Sequence, residues 1–492
     1  MRQYLIILIL LLGLATHIFF AHFAVLYEPD NYIYLSVANQ TIANNLAIPA
    51  TDIYSHFPSH LAYGEYPGLI YLAVIPALLG FHLFDILMYL PVLFTLLSIL
   101  GIYLFTKEAF NQKIALYAAL LMAILPAAIY RGMAGEWRGG VFVATIVIYM
   151  LYVMLKTKKM TKNPLKSYIL MLLSTIPFIA ISIWIWSGAY YVLAIALFAF
   201  IAMLITEYRQ RNAPILLILA MLAMFPALFL SPYGTFFNYN LGITELQPLT
   251  LINAIFQFSI VLPLGLLGLI LSILFIWKER SVDKTMLMPF CLLIAALAIT
   301  LPLAIGSIRF EILMAAPICI LAAYALLAIS KATWINLLII FASLSVFTFF
   351  AMTISPATVT PQLISSMNWI RIHTPKNATF LTSWPDGSLI ESIGQRQSWS
   401  DSIQGLSYGQ SFGRFLYARS GNFTYLENIS PNYILVQSNF LNQTAAFASE
   451  ANISSPTING SNIQALLNNS YNNSFFKDIY SQNGIIIFRV IK

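Results

Sequence analysis

Long apolar runs separated by short polar breaks fill most of the chain, and only its C-terminal part reverses that balance. A helix needs about 20 residues to cross a ~30 Å hydrocarbon layer. Runs of that order fall at 4–25, 87–106, 113–130, 139–156, 167–185, 187–206, 213–231, 253–277, 285–304, 308–329 and 333–354. They predict about eleven membrane spans. A shorter apolar stretch at 67–83 opens on Pro67-Gly68 and fits either a tilted span or a segment re-entrant on one face. Beyond residue 355 the chain turns polar and rich in Asn and Ser, with β-like runs at Tyr433–Val436 and Ile485–Val490. Two domains are therefore expected: 1–355, a multi-span body with functional loops on its outer face, and 356–492, a compact mixed α/β domain.

Composition sharpens this picture. Only 9% of the 492 residues are charged and 60% are hydrophobic, against roughly a quarter charged in a soluble domain. Such a chain has too little charge to cover a soluble surface and too much apolar surface for intrinsic disorder. Cys291 and Cys319 both lie in apolar runs, which argues against a disulfide scaffold. Together with six scattered His they also fail to suggest a zinc cluster.

The net charge of +7 is distributed as membrane topology rather than as a nucleic-acid surface. Basic residues occur at Arg2, Lys107, Lys113, Lys156, Lys158, Lys159, Lys162, Lys166, Arg209, Arg211, Lys278, Arg280, Lys284 and Lys331. With 67–83 counted as non-spanning, all fall on one side, which the positive-inside rule assigns to the cytoplasm. The N-terminus is then cytoplasmic and the C-terminal domain extracytoplasmic in a multi-pass cell-membrane protein. The first run lacks a small-x-small cleavage site and reads as a retained anchor.

Acidic residues are few and fall near the outer ends of spans. Asp30 lies in Glu28-Pro29-Asp30-Asn31-Tyr32, Glu136 in the loop Arg131–Gly140, and Glu245 in the loop 232–252; Arg309 begins a span at its outer end. Carboxylates brought together from separate segments suit a hard divalent cation. The plainer reading of each alone is a solvated loop charge, and of Arg309 an interfacial anchor. In the polar domain, Trp384-Pro385-Asp386-Gly387 follows a predicted strand. It pairs an apolar wall with a hydrogen-bond acceptor, suited to a small hydroxyl-bearing side chain; equally, it is a core Trp followed by a turn.

Taken together, these segments resemble the catalytic subunit of oligosaccharyltransferase, the enzyme of asparagine-linked protein glycosylation, in its single-subunit archaeal and bacterial forms. Trp369 to Asp401 is similar to the region of the family's W-W-D-Y-G signature, with Trp384-Pro-Asp386-Gly-Ser in its place. Thr244–Pro248 resembles an outer-loop motif, Asp30-Asn-Tyr-Ile-Tyr the aspartate motif after the first span, Arg131-Gly-Met-Ala-Gly the lead-in to a second acidic motif, and Ser307–Pro317 the span bearing a pyrophosphate-binding arginine. The resemblance implies a GT-C type polytopic α-helical membrane protein of about 11–13 transmembrane helices, carrying a C-terminal mixed α/β extracytoplasmic domain. It implies a divalent metal, Mn²⁺ or Mg²⁺, held by Asp30, Glu136 and Glu245. Asp30 and Glu245 would also orient the acceptor amide, Arg309 would neutralise the leaving group, and Trp384 and Asp386 would bind the sequon hydroxyl. The implied partners are the bilayer, a polyprenyl (pyro)phosphate-linked oligosaccharide and a polypeptide bearing Asn-x-Ser/Thr, with no nucleic acid.

The chain departs from that pattern in two places. Arg138 and Gly140 stand where the second acidic motif places carboxylates, so Glu136 would have to substitute, and Pro385 stands in place of the signature's second Trp. Sequons on the outer segments, at Asn39, Asn377, Asn422, Asn428, Asn442, Asn452, Asn459, Asn468 and Asn472, fit the face on which such an enzyme works, as they fit an Asn- and Ser-rich composition. Three other readings stay open: another GT-C enzyme moving a lipid-linked sugar to a hydroxyl, a catalytically impaired homologue, and a transporter. The last predicts ionisable residues within spans and internal repeats.

Overall fold

A computed structural model describes residues 2–51, 54, 57, 67–160, 164–186, 189–207, 248–278, 284–330, 332, 335–341, 359–401, 412–427, 429–443, 453, 457–468, 470–471 and 474–491. Its membrane part is helical: α1 (Arg2–Ile18), α2 (Pro29–Ala43), α3 (Pro67–Leu78), α4 (Leu83–Ala109), α5 (Gln112–Ile124), α6 (Pro126–Gly132), α7 (Gly139–Lys159), α8 (Pro164–Ile185), α9 (Tyr190–Glu207), α10 (Leu251–Phe258), α11 (Val261–Lys278), α12 (Lys284–Gly306) and α13 (Glu311–Ile329). Among the described residues, six helices are long and apolar enough to cross a membrane, or up to 8 if each bent pair is one span.

Two of the expected continuous spans are broken. The run 113–130 divides into α5 and α6, bent by 59°. Pro126 drives the residue before it out of the helical region, and Leu125 is extended at φ −71°, ψ 124°. The run 253–277 divides into α10 and α11 with a 90° bend at Ser259, whose φ is +47°. The stretch 67–83 forms the 12-residue helix α3, about 18 Å long and too short to span. The expected span 213–231 and most of 333–354 lie outside the described residues, as does the expected domain boundary at 355.

The bundle is built on α4, which packs on α1, α5 and α7, while α13 packs on α11, α5 and α12. With no aqueous solvent to drive it, such packing relies on close contact and interhelical hydrogen bonds. Ser98 and Thr145 share one at 2.7 Å between α4 and α7, and Thr145 Oγ1 also donates to Phe94 O at 3.0 Å.

The C-terminal part carries helix α14 (Pro361–His373), strand β1 (Thr379–Leu381), the short helix α15 (Trp384–Leu389), and strands β2 (Gln397–Ser398), β3 (Tyr433–Gln437), β4 (Phe476–Gln482) and β5 (Ile485–Val490). The sheet runs β2-β1-β3-β5-β4. β1 is parallel to β2 and β3, whereas β5 is antiparallel to β3 and β4. The unbroken apolar runs of β3 and β5 follow from burial on both faces. Tyr433, Leu435, Ile485 and Ile487 join the core shared with the membrane helices, and Ile434, Val436, Ile486 and Phe488 form a second core on the far face. The sheet is thereby seated on the bundle.

Candidate functional site

The loop between α6 and α7 is tied to three other segments by its backbone. Ala134 N–H donates to His17 O at 2.9 Å, Gly135 N–H to Met88 O at 2.9 Å, and Tyr27 N–H to Gly135 O at 3.0 Å. Asn31 Nδ2 donates to the same Gly135 carbonyl at 2.6 Å. Gly135 lies at φ +81°, a conformation that favours glycine. Glu28 and Asp30, at the start of α2, are thus held against Glu136 and Arg138, at the start of α7.

The side chains meet as one ion-pair network. Arg138 Nη2 bonds Glu28 Oε2 and lies 3.9 Å from Asp30 Oδ2, while its Nε lies 3.1 Å from Glu136 Oε1. Arg131 Nη1 approaches Glu136 Oε1 at 3.8 Å, and its Nε approaches Glu311 Oε1 at 3.4 Å. Glu136 and Glu311 are fully buried, Arg131 nearly so, and the Asp30 side chain is 28% exposed. Burying carboxylates at this depth demands cationic partners, because the desolvation cost of an isolated charge is several kcal/mol.

Above the network opens a cavity of about 90 Å³, with Asp30, Arg138 and Arg309 on its polar wall and Trp137, Trp186 and Ile312 on its apolar one. It lies at the end of the bundle where α7 begins; the lysines Lys156, Lys158 and Lys159 lie in that helix's last turn, about 30 Å away at 1.5 Å per residue.

The structure brings Asp30, Glu136 and Arg309 together at this end. Glu245 lies outside the described residues. Trp384 and Asp386 sit on α15, which packs against α2, the helix bearing Asp30, and Phe57 meets Trp399 edge-on at 4.6 Å. The expected Pro385-Asp386-Gly387 turn is instead the first turn of α15. Ser383 caps it, accepting from Asp386 N–H at 3.3 Å, the cap that a Ser before a Pro-led helix provides. A Cβ on Gly387 would lie 1.5 Å from Ser400 O, so only glycine lets the helix lie this close to the segment that follows β2. The Asp386 carboxylate accepts from Ser383 Oγ at 2.9 Å and from Gln437 Nε2 at 2.7 Å. Burial pushes it up to about 6, against those two hydrogen bonds, which lower it.

Sequence reasoning passed over Glu28 and Glu311. Each carried a signal: Glu28 directly precedes the Pro that opens α2, and Glu311 is an acid inside an apolar span, where ionisable residues mark function or pairing.

The described carboxylates do not match a divalent cation. Among the described residues no group of three or more His, Cys, Asp or Glu is placed to hold a metal ion. Glu136 faces two guanidinium groups, and Arg138 fills the space that a cation shared by Glu28, Asp30 and Glu136 would need.

The whole fold recurs among solved structures. The chain is similar to an archaeal oligosaccharyltransferase from Archaeoglobus fulgidus in complex with an inhibitory peptide and a dolichol-phosphate, with a TM-score of 0.76 and 15% identity over 98% of this chain and 79% of that one. It is similar to the Archaeoglobus fulgidus enzyme tethered to an acceptor peptide containing the NVT sequon (TM-score 0.70, 17% identity, 100% of this chain and 74% of that one). The complex of that enzyme with Zn and sulfate matches at a TM-score of 0.69 and 17% identity, over 99% of this chain and 73% of that one. At such identities the likeness carries the fold, that of a multi-pass membrane protein with a C-terminal α/β domain. A sequence profile goes further: oligosaccharyl transferase STT3, N-terminal, matches residues 4–266. The chain belongs to the oligosaccharyl transferase STT3 family, the glycosyltransferases of protein N-glycosylation. No curated protein sequence matches it significantly.

Proposed function

We propose that this chain moves an oligosaccharide from a polyprenyl (pyro)phosphate carrier to the asparagine of Asn-x-Ser/Thr sequons, at the cleft of Asp30, Arg138 and Arg309. The observation that carries the reading is that cleft. Guanidinium groups and carboxylates from three separate chain segments meet there, at the bundle end on which α15 packs. The dolichol-phosphate and NVT-sequon complexes of the similar structures support the same donor and acceptor classes.

The reaction is a displacement at the anomeric carbon: the bond from carbon to phosphate oxygen breaks as the bond to the asparagine nitrogen forms. Charge grows on the departing phosphate, and Arg309 on the cleft wall neutralises it. Asp30, the partly exposed carboxylate, accepts from the acceptor amide N–H and orients its nitrogen; Glu245 shares this task. Glu136 lies behind the cleft wall and serves to hold Arg131 and Arg138. Trp384 forms the apolar wall beside the sequon and Asp386 accepts from the Thr or Ser hydroxyl. No step runs through Mn²⁺ or Mg²⁺, because the described carboxylates do not fit one. The multi-span body 1–355 embeds in the bilayer with the N-terminus cytoplasmic, and the domain 356–492 lies outside with the sequon-binding residues.

Transfer to a fluorescent Asn-x-Thr peptide, with the host's lipid-linked glycan as donor, tests this reading. Asp30→Ala and Glu245→Ala are each expected to lower the rate at least about tenfold, the effect of losing a positioning contact. Unchanged transfer in both variants would refute the assignment.

A further inference from the structure

We infer that Arg138 is the resident cation of this cleft, binding its carboxylates and the donor's phosphate without a divalent metal. The inference rests on the proposed transfer reaction for its substrate, but its geometry stands alone. One guanidinium reaches three carboxylates from two segments: Glu28, Asp30 and Glu136. A divalent ion must sit about 2.0–2.6 Å from each ligand oxygen, so an ion shared by these acids would require the volume that Arg138 fills. Arg131 and Arg309 border the same cavity and would repel it further.

Packing does not impose this choice. The Arg138 side chain is 20% exposed, and a Cβ on Gly140 would stand 3.4 Å from Ile312 Cγ2, an ordinary contact. The backbone here therefore accepts other side chains, carboxylates included. Guanidinium keeps its charge at every accessible pH and presents a planar set of donors matched to carboxylate and phosphate oxygens. A site built on it needs neither metal supply nor a metal-bound resting state, and its charge is fixed to the start of α7.

The test is a Mn²⁺ titration of the full-length purified protein, followed by the electron paramagnetic resonance signal of the free ion. Wild type is expected to leave that signal undiminished at micromolar Mn²⁺. Arg138→Asp and the double variant Arg138→Asp/Gly140→Glu, both checked as monodisperse, are expected to take up about one ion per chain. Stoichiometric binding by wild type that Asp30→Asn abolishes would overturn the inference, as would folded variants that gain no binding.

A second arm uses peptide transfer. Wild-type rates with excess chelator and with Mn²⁺ should agree, Arg138→Gln should lose at least about tenfold in kcat, and Arg138→Lys should recover part of it. A chelator-sensitive wild type would overturn the inference. If no preparation transfers glycan, the proposed reaction fails, while the Mn²⁺ titration still decides the role of Arg138.

Discussion

Asp386 is buried at a cost that its neighbours only partly offset, and replacing it with asparagine exposes the size of that cost. Its carboxyl rises from 3.8 to about 6 on folding, chiefly through burial, although Gln437 and Ser383 both hydrogen-bond to it. A shift of about two units at about 1.36 kcal/mol each is worth about 3 kcal/mol. The sign follows from proton binding: between these two values the folded chain holds the proton and the unfolded chain has lost it. The stability contributed is therefore fully present below about 3.8 and is lost as pH rises through about 6. At pH 7.5 wild type carries the whole penalty. Asp386→Asn keeps an acceptor for Gln437 and removes the buried charge, so the variant should be more stable by about 1–3 kcal/mol at neutral pH. Thermal unfolding of the detergent-purified protein, followed by tryptophan fluorescence at one scan rate over a pH series, measures this. The variant should melt above wild type at pH 7.5, and the gap should close as pH falls toward 4. A gap that is absent or reversed at neutral pH, or that ignores pH, would refute the reasoning. Peptide transfer should meanwhile drop in the variant, and wild-type transfer should fall as pH is lowered through about 6, because the protonated carboxyl no longer accepts freely from the sequon hydroxyl.

Two further substitutions probe the scaffold of the site. Glu311→Gln takes the closer carboxylate from the buried Arg131, 3.4 Å away against 3.8 Å for Glu136, and should destabilise the protein by about 3 kcal/mol; adding Arg131→Gln should restore part of this, and a variant melting with wild type would count against a buried pair. Gly387→Ala places a methyl group 1.5 Å from Ser400 O and should cost about 3 kcal/mol or more, read as faster tryptic cleavage of the C-terminal domain. The milder Ser383→Ala, which removes the cap of α15 and one hydrogen bond to the Asp386 carboxylate, should cost about 1–2 kcal/mol, and equal protease sensitivity in both would show that the close approach is not what fixes α15.

How much of this was legible along the chain depends on the range of the interactions involved. The span-forming runs and the strands at Tyr433 and Ile485 follow from local apolar content, and the break at Pro126 from a single residue's steric effect. That effect went unread because the apolar run continues across it. Asp30, Glu136 and Arg309 were visible because charge is so scarce that each acid or base near a span end stands out. Glu28 and Glu311 escaped: one lies two residues from a more conspicuous aspartate, and the other lies within a hydrophobic segment, where its pairing with Arg131, far away in sequence, explains it.

The sequence by itself determined that this is a membrane protein with a polar C-terminal domain, since hydropathy and charge act residue by residue and need no partner to be read. It also showed that Arg138 and Gly140 stand where carboxylates were expected. Only the tertiary structure decided what that substitution does. Ion pairing is a property of distances between segments, and the Gly135 backbone hydrogen bonds, by holding the starts of α2 and α7 together, turn an arginine that looked like a missing ligand into the cation that joins three carboxylates.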